Sequence, residues 1–258
     1  MHACIPFTIK GHVAVITMSN APANTWTHDS LDSLADLILD FNQDKNIYSL
    51  VITGAGEKFF SAGADLKLFA DGDKQTAVLM ATAFGRAFEA LSQFRGLSIA
   101  AINGYAMGGG LEVALACDLR IAESQAQMAL PEAAVGLLPC AGGTQNLAWL
   151  VGEGWAKRMI LCGERVSAQQ ALDIGLVEAV VESGQALEQA LLWAQKSEQQ
   201  SPTSVAACKR LIQNARSHPM IAGMACERDE FVNLFNSNDQ KEGVQAFLEK
   251  RQPQWTNS

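Results

Sequence analysis

The first arginine of the chain is Arg86, and no apolar run approaches the roughly 20 residues that a membrane-spanning helix needs. Neither an Arg-rich transit peptide nor a secretory signal is visible, so a cytoplasmic location is expected. The six cysteines, at positions 4, 117, 140, 162, 208 and 226, form no Cys-x-x-Cys pair and read as free thiols in a reducing compartment. P-loop, His-Glu-x-x-His and Gly-x-Gly-x-x-Gly motifs are also missing. Nucleotide hydrolysis, zinc catalysis and dinucleotide binding therefore lack support, and no metal or redox cofactor is expected. The four histidines, His2, His12, His28 and His218, stand in no setting that points to a serine-protease triad.

What is present is an ordinary globular composition: 258 residues, 48% hydrophobic and 7% aromatic, with a net charge of −8. An acidic balance attracts neither nucleic acid nor anionic lipid, so no nucleic-acid or membrane partner is expected. A phosphate-bearing small molecule stays open to such a chain. A few placed lysines, or N–H groups at helix starts, can hold it.

Hydrophobic periodicity organises the chain. Phe7 to Ser19 alternates around Gly11 as a hairpin, and Leu31, Leu34, Ile38 and Phe41 recur at helical spacing. Ser49 to Thr53, Ser98 to Asn103, Leu119 to Ala122 and Leu176 to Val181 are short apolar runs of the kind that form buried parallel strands. Helical stretches such as Thr76 to Phe94 and Leu111 to Ala116 lie between them, which predicts an α/β fold. From Gln185 onward only helical periodicity continues, with Pro202 and Pro219 as helix starts. The apolar face carrying Ile221, Met224, Phe231 and Phe235 needs a cover, from the main domain or from a neighbouring subunit.

Two segments carry chemistry. In the first, a strand runs through Gly108, Gly109 and Gly110 into a helix that bears Glu112 in its first turn. The glycines allow close approach of backbone to ligand, and the helix start offers unpaired N–H groups. In the second, Ser61-Ala-Gly-Ala-Asp-Leu66 again follows a strand, and the Ala64 N–H falls where a helix-start donor should be. Two such donors can share one developing oxyanion, although helix capping by Ser61 or Asp65 would account for the second segment equally well. Glu132, after Pro131 and before a Gly-rich loop, is a further acid at a loop–helix junction. Met80, Phe84 and Phe88 on one helical face, or Trp26, could contact an apolar ligand, with core packing as the simpler role.

These segments together resemble the crotonase, or enoyl-CoA hydratase/isomerase, family. The likeness covers nearly the whole chain, through Ile99 to Leu119, Ser61 to Leu66, Pro131-Glu132, Gly142-Gly-Thr-Gln145 and the tail Phe247 to Trp255. The resemblance implies a crotonase-like superhelix of ββα units over residues 1–195, with an all-helical oligomerisation region over 196–258. It implies an oxyanion hole at the Ala64 and Gly109 N–H groups and a catalytic pair in Glu112 and Glu132. Retention of both acids favours hydration of a trans-2-enoyl-CoA over isomerisation. Coenzyme A, part of the substrate, is expected along Ala62, Gly63, Asp65, Leu66 and Lys67, with Gly108, Pro131 and Cys140 near the reacting atoms and Lys250 near the phosphates. The expected assembly is a homotrimer or a dimer of trimers. Cys140 and Asn146 depart from residues usual in the family. The rival readings are an isomerase on the same fold, and a non-catalytic acyl-CoA-binding or RNA-binding protein on this scaffold.

Overall fold

The computed structural model describes residues 5–258, which leaves His2 and Cys4 outside the described residues. A repeated unit of two strands and one helix builds its first two-thirds. β1 (Phe7–Lys10) and β2 (Val13–Met18) pair as the expected antiparallel hairpin, and α1 (His28–Gln43) follows. Thr27 caps α1, and Ser30 completes a reciprocal capping box.

Three ββα units come next. The first is β3 (Ser49–Gly54), β4 (Phe59–Ser61) and α2 (Lys74–Ser92). The second is β5 (Leu97–Ile102), β6 (Tyr105–Met107) and α3 (Gly109–Ala116). The third is β7 (Leu119–Glu123), β8 (Gln127–Ala129) and α4 (Gly143–Leu161). The first strand of each unit stacks parallel in one sheet, and the second strand stacks parallel in another. β9 (Val166–Ser167), α5 (Ala168–Asp173) and β10 (Ala179–Val181) complete a six-stranded sheet ordered β1-β2-β3-β5-β7-β10 and a four-stranded sheet ordered β4-β6-β8-β9. This is the superhelical α/β core that the resemblance implied.

The continuous apolar runs have a direct cause. Ala14, Ile16, Leu50, Ile52, Ala100 and Ile102 point to one face of the large sheet, where α1 and α2 cover them. Val13, Val15, Val51, Ile99 and Ala101 point to the other, against Ala186, Ala190 and Ala194 of α6 (Ala186–Glu198). A parallel sheet buried on both faces has no polar side to alternate with. Each fully buried Leu or Ile contributes about 1.5–3 kcal/mol.

Some boundaries differ from expectation. The strand expected over Leu176 to Val181 is confined to Ala179–Val181, because the Leu176 and Val177 N–H groups turn back to donate to Ala171 O. α2 begins at Lys74 rather than Thr76, since Asp73 accepts from the Gln75 and Thr76 N–H groups. A division between residues 195 and 196 falls inside α6.

α7 (Pro202–Asn214), α8 (Met220–Leu234) and α9 (Asn238–Glu249) form the helical last part, with Pro202 at the first turn of α7 and Pro219 capping α8. Lys209 fastens α7 to the core through Asp118, at 2.7 Å. The buried Asp239 gathers the tail, accepting from the Thr256 and Asn257 N–H groups at 2.9 and 3.1 Å. Ile221, Met224, Phe231 and Phe235 stay exposed, so the main domain is not their cover. No helix among the described residues is long and apolar enough to cross a membrane.

Candidate active site

Two backbone segments meet at one point. On the first, beyond β4, the Trp26 N–H donates to Gly63 O at 2.8 Å and the Asp65 N–H donates to Trp26 O at 3.4 Å. That pattern is a parallel bridge between Trp26 and Ala64, and it turns the Ala64 N–H away from Trp26. On the second, the chain leaves β6 at Gly108, and Gly109 opens α3 with an N–H that has no carbonyl to reach inside the helix. Neither amide has an acceptor among the described residues.

Glycine makes this meeting sterically feasible. Gly63 has φ +86, and a Cβ there would lie 2.8 Å from Met107 O and 2.9 Å from the Gly109 nitrogen. A Cβ on Gly110 would lie 2.1 Å from Ser61 O. Any side chain at either position drives the two segments apart, and the two free amides with them.

The glutamates stand beside these amides in different surroundings. Glu112, in the first turn of α3, is 2% exposed, and its Oε1 accepts from the Ala141 and Gly143 N–H groups, both at 2.8 Å. Burial pushes its pKa up, and the two amides pull against that rise. Glu132 opens a short 3₁₀ turn, Glu132–Val135, directly after Pro131. Its Oε2 is buried and has no hydrogen-bond partner among the described residues. Burial raises its pKa to about 7, the charge of Glu112 adds to the rise, and its own backbone N–H opposes it. A carboxyl poised near neutrality in a cleft is suited to proton transfer.

Both acids line one cavity of about 600 Å³, together with Ala62, Ala64, Leu66, Gly108, Gly109, Pro131 and Cys140. The cavity thus joins nine of the residues read from the sequence. Gly63 and Asp65 act from behind the wall: Gly63 packs on Gly109, and Asp65 caps the next turn by accepting from the Lys67 N–H at 3.1 Å. Lys67 and Lys250 do not line the cavity, and Lys250 sits exposed at the left-handed end of α9. Met80 and Phe84 line the cavity, whereas Trp26 and Phe88 pack edge to face at 5.7 Å outside it. The Cys140 thiol faces the cavity with its pKa raised to about 11 by burial and by Glu112 and Glu132, so it stays protonated. No cluster of potential metal ligands occurs among the described residues.

The scaffold behind the site includes residues whose roles the sequence did not disclose. The Asn24 side chain donates to Ala55 O and Phe59 O at 2.9 and 2.8 Å. Asn103 donates to Gly54 O and Gly56 O at 2.9 and 2.7 Å. Ser61 caps no helix; its hydroxyl donates to Asn24 O and accepts from the Gly63 N–H. Their partners lie up to 49 residues away in sequence, so no local pattern could reveal them.

Comparison with known proteins agrees with this fold. The family model described as enoyl-CoA hydratase/isomerase matches residues 8–258. The short-chain-enoyl-CoA hydratase of Clostridium acetobutylicum is 37% identical, with 94% of this chain and 93% of that protein covered. The 2,3-dehydroadipyl-CoA hydratase of Escherichia coli K12 is 41% identical over 81% of each. Among solved structures, DspI of Pseudomonas aeruginosa is 64% identical and superposes with a TM-score of 0.95, covering 98% of this chain and 96% of that one. The chain belongs to the enoyl-CoA hydratase/isomerase, or crotonase, family.

Proposed function

We propose that this enzyme is an enoyl-CoA hydratase, adding water across the double bond of a trans-2-enoyl-CoA to give a 3-hydroxyacyl-CoA. The observation that carries the reading is the shared cavity: two free amides and two carboxyls, with pKa values moved by different surroundings, border one space. In this reading the thioester oxygen accepts from the Ala64 and Gly109 N–H groups, which stabilise the enolate that forms as water attacks C3. Glu112, with one oxygen occupied by two amides, orients the water and takes its proton. Glu132, partly protonated near neutral pH, delivers a proton to C2. Transfer of the proton from Glu112 to Glu132 restores the pair, and one water has been added.

The coenzyme A moiety follows Ala62 to Leu66 with Lys67 beside it, and Lys250 meets its phosphates. Copies of the chain cover the exposed apolar face of α8 and α9, giving a trimer or a dimer of trimers. Light scattering should then return about three or six times the 27.6 kDa of one chain.

The deciding experiment follows loss of the conjugated enoyl absorbance of crotonyl-CoA, with product analysis, for wild type, Glu112→Gln and Glu132→Gln. Each substitution should lower kcat by about 100-fold or more. Activity that survives both changes, or a shifted double bond with no hydroxyl in the product, rejects the hydratase reading.

A further inference from the structure

The wall of the cavity beyond the carboxyls offers a substrate almost nothing but hydrocarbon. Among its lining residues only Glu112, Glu132 and Cys140 have ionisable side chains, and none has a hydroxyl, an amide, an imidazole or a cation. Met80 and Phe84, each 3% exposed, form the floor; Leu66, Val135 and Leu137 form an exposed rim. Part of the rim-loop backbone is committed as well. The Ala134, Gly136 and Leu137 N–H groups donate within the loop, to Pro131 O, Ala133 O and Glu132 O.

We propose that the acyl group this site takes is an unsubstituted hydrocarbon chain, and that the cavity rejects an acyl chain ending in a carboxylate. The inference rests on the hydratase reading and narrows its substrate. A carboxylate entering the cavity gives up water, finds no side-chain donor or cation on the wall, where the Ala64 and Gly109 amides are taken by the thioester oxygen, and shares the space with two further carboxyls. A methyl terminus in the same position loses nothing and gains apolar burial. The relative named for 2,3-dehydroadipyl-CoA therefore shares this chain's fold, while this chain's wall is unsuited to that acyl group.

A matched pair of substrates tests this. trans-2-Hexenoyl-CoA and 2,3-dehydroadipyl-CoA have the same carbon count and differ in a terminal methyl against a carboxylate. Wild-type enzyme should favour the hexenoyl thioester by about 100-fold in kcat/KM, the scale expected for an unpaired charge brought into an apolar site. From crotonyl- to hexenoyl- to octenoyl-CoA, kcat/KM should rise about fourfold for each methylene that stays within the wall. A hexenoyl preference below tenfold overturns the proposal. Competitive inhibition by the saturated pair, hexanoyl-CoA and adipoyl-CoA, reads the wall without turnover: tighter inhibition by hexanoyl-CoA supports the proposal, and equal inhibition overturns it. Absence of turnover on every enoyl-CoA defeats the hydratase reading, and the inhibition pair still decides the question of the wall.

Discussion

Glu112 and Glu132 border the same cavity, yet one is held and the other is loose. Two amides at 2.8 Å fix an oxygen of Glu112, whereas a buried oxygen of Glu132 has no partner among the described residues. The difference teaches how one protein can give two identical side chains different surroundings, one that holds the carboxylate in place and one that leaves it unheld. Donors aimed at a carboxylate favour its charged form and fix its position; burial with few donors favours the neutral form.

The largest test of this contrast shortens each acid by one methylene. Glu112→Asp withdraws the carboxylate from the Ala141 and Gly143 amides and, on the proposed role, misplaces the attacking water, so kcat should fall about 100-fold. Glu132→Asp has no fixed partner to lose and should cost about tenfold. Equal losses on crotonyl-CoA would break the comparison.

A smaller effect is expected from pH. If Glu132 must carry a proton, kcat should decline as pH rises through about 7, and Glu132→Gln should show no such limb in its residual activity. A profile flat from pH 6 to 9 in the wild type argues that Glu132 is not the donor.

The smallest concerns stability. The pKa of Glu132 is higher in the folded protein than its ordinary 4.5, so the folded state binds more protons than the unfolded state between about 4.5 and 7. The wild type therefore loses stability as pH rises through that window. Glu132→Gln removes the loss, and its Tm at pH 8 should exceed that of the wild type by about 2–4 °C for each kcal/mol recovered, with the gap closing by pH 4.5. Scanning calorimetry at the two pH values checks this.

Much of this site was legible because its signals are local. Gly108 to Gly110 and Glu112 share one strand-to-helix junction, and Pro131-Glu132 marks another, so both acids stood out locally, while their pairing came from the family resemblance. The four-stranded sheet was not read: its strands have two or three residues, too short for a period of two to repeat. Met80, Phe84 and Phe88 lie four residues apart on one face of α2, yet the first two meet the cavity and the third meets Trp26. Their different fates depend on where α2 passes the rest of the molecule. Asn24 and Asn103 were opaque for the same reason, since their hydrogen bonds span long stretches of chain.

The contact between Gly63 and Gly109 bears on engineering. The paired amides, of Ala64 and Gly109, lie forty-five residues apart in the chain, and grafting either loop onto a foreign scaffold transfers half of the pair. Relocating the site would require carrying over the parallel stacking of β4 on β6 as a unit, because that pairing brings the two loops side by side.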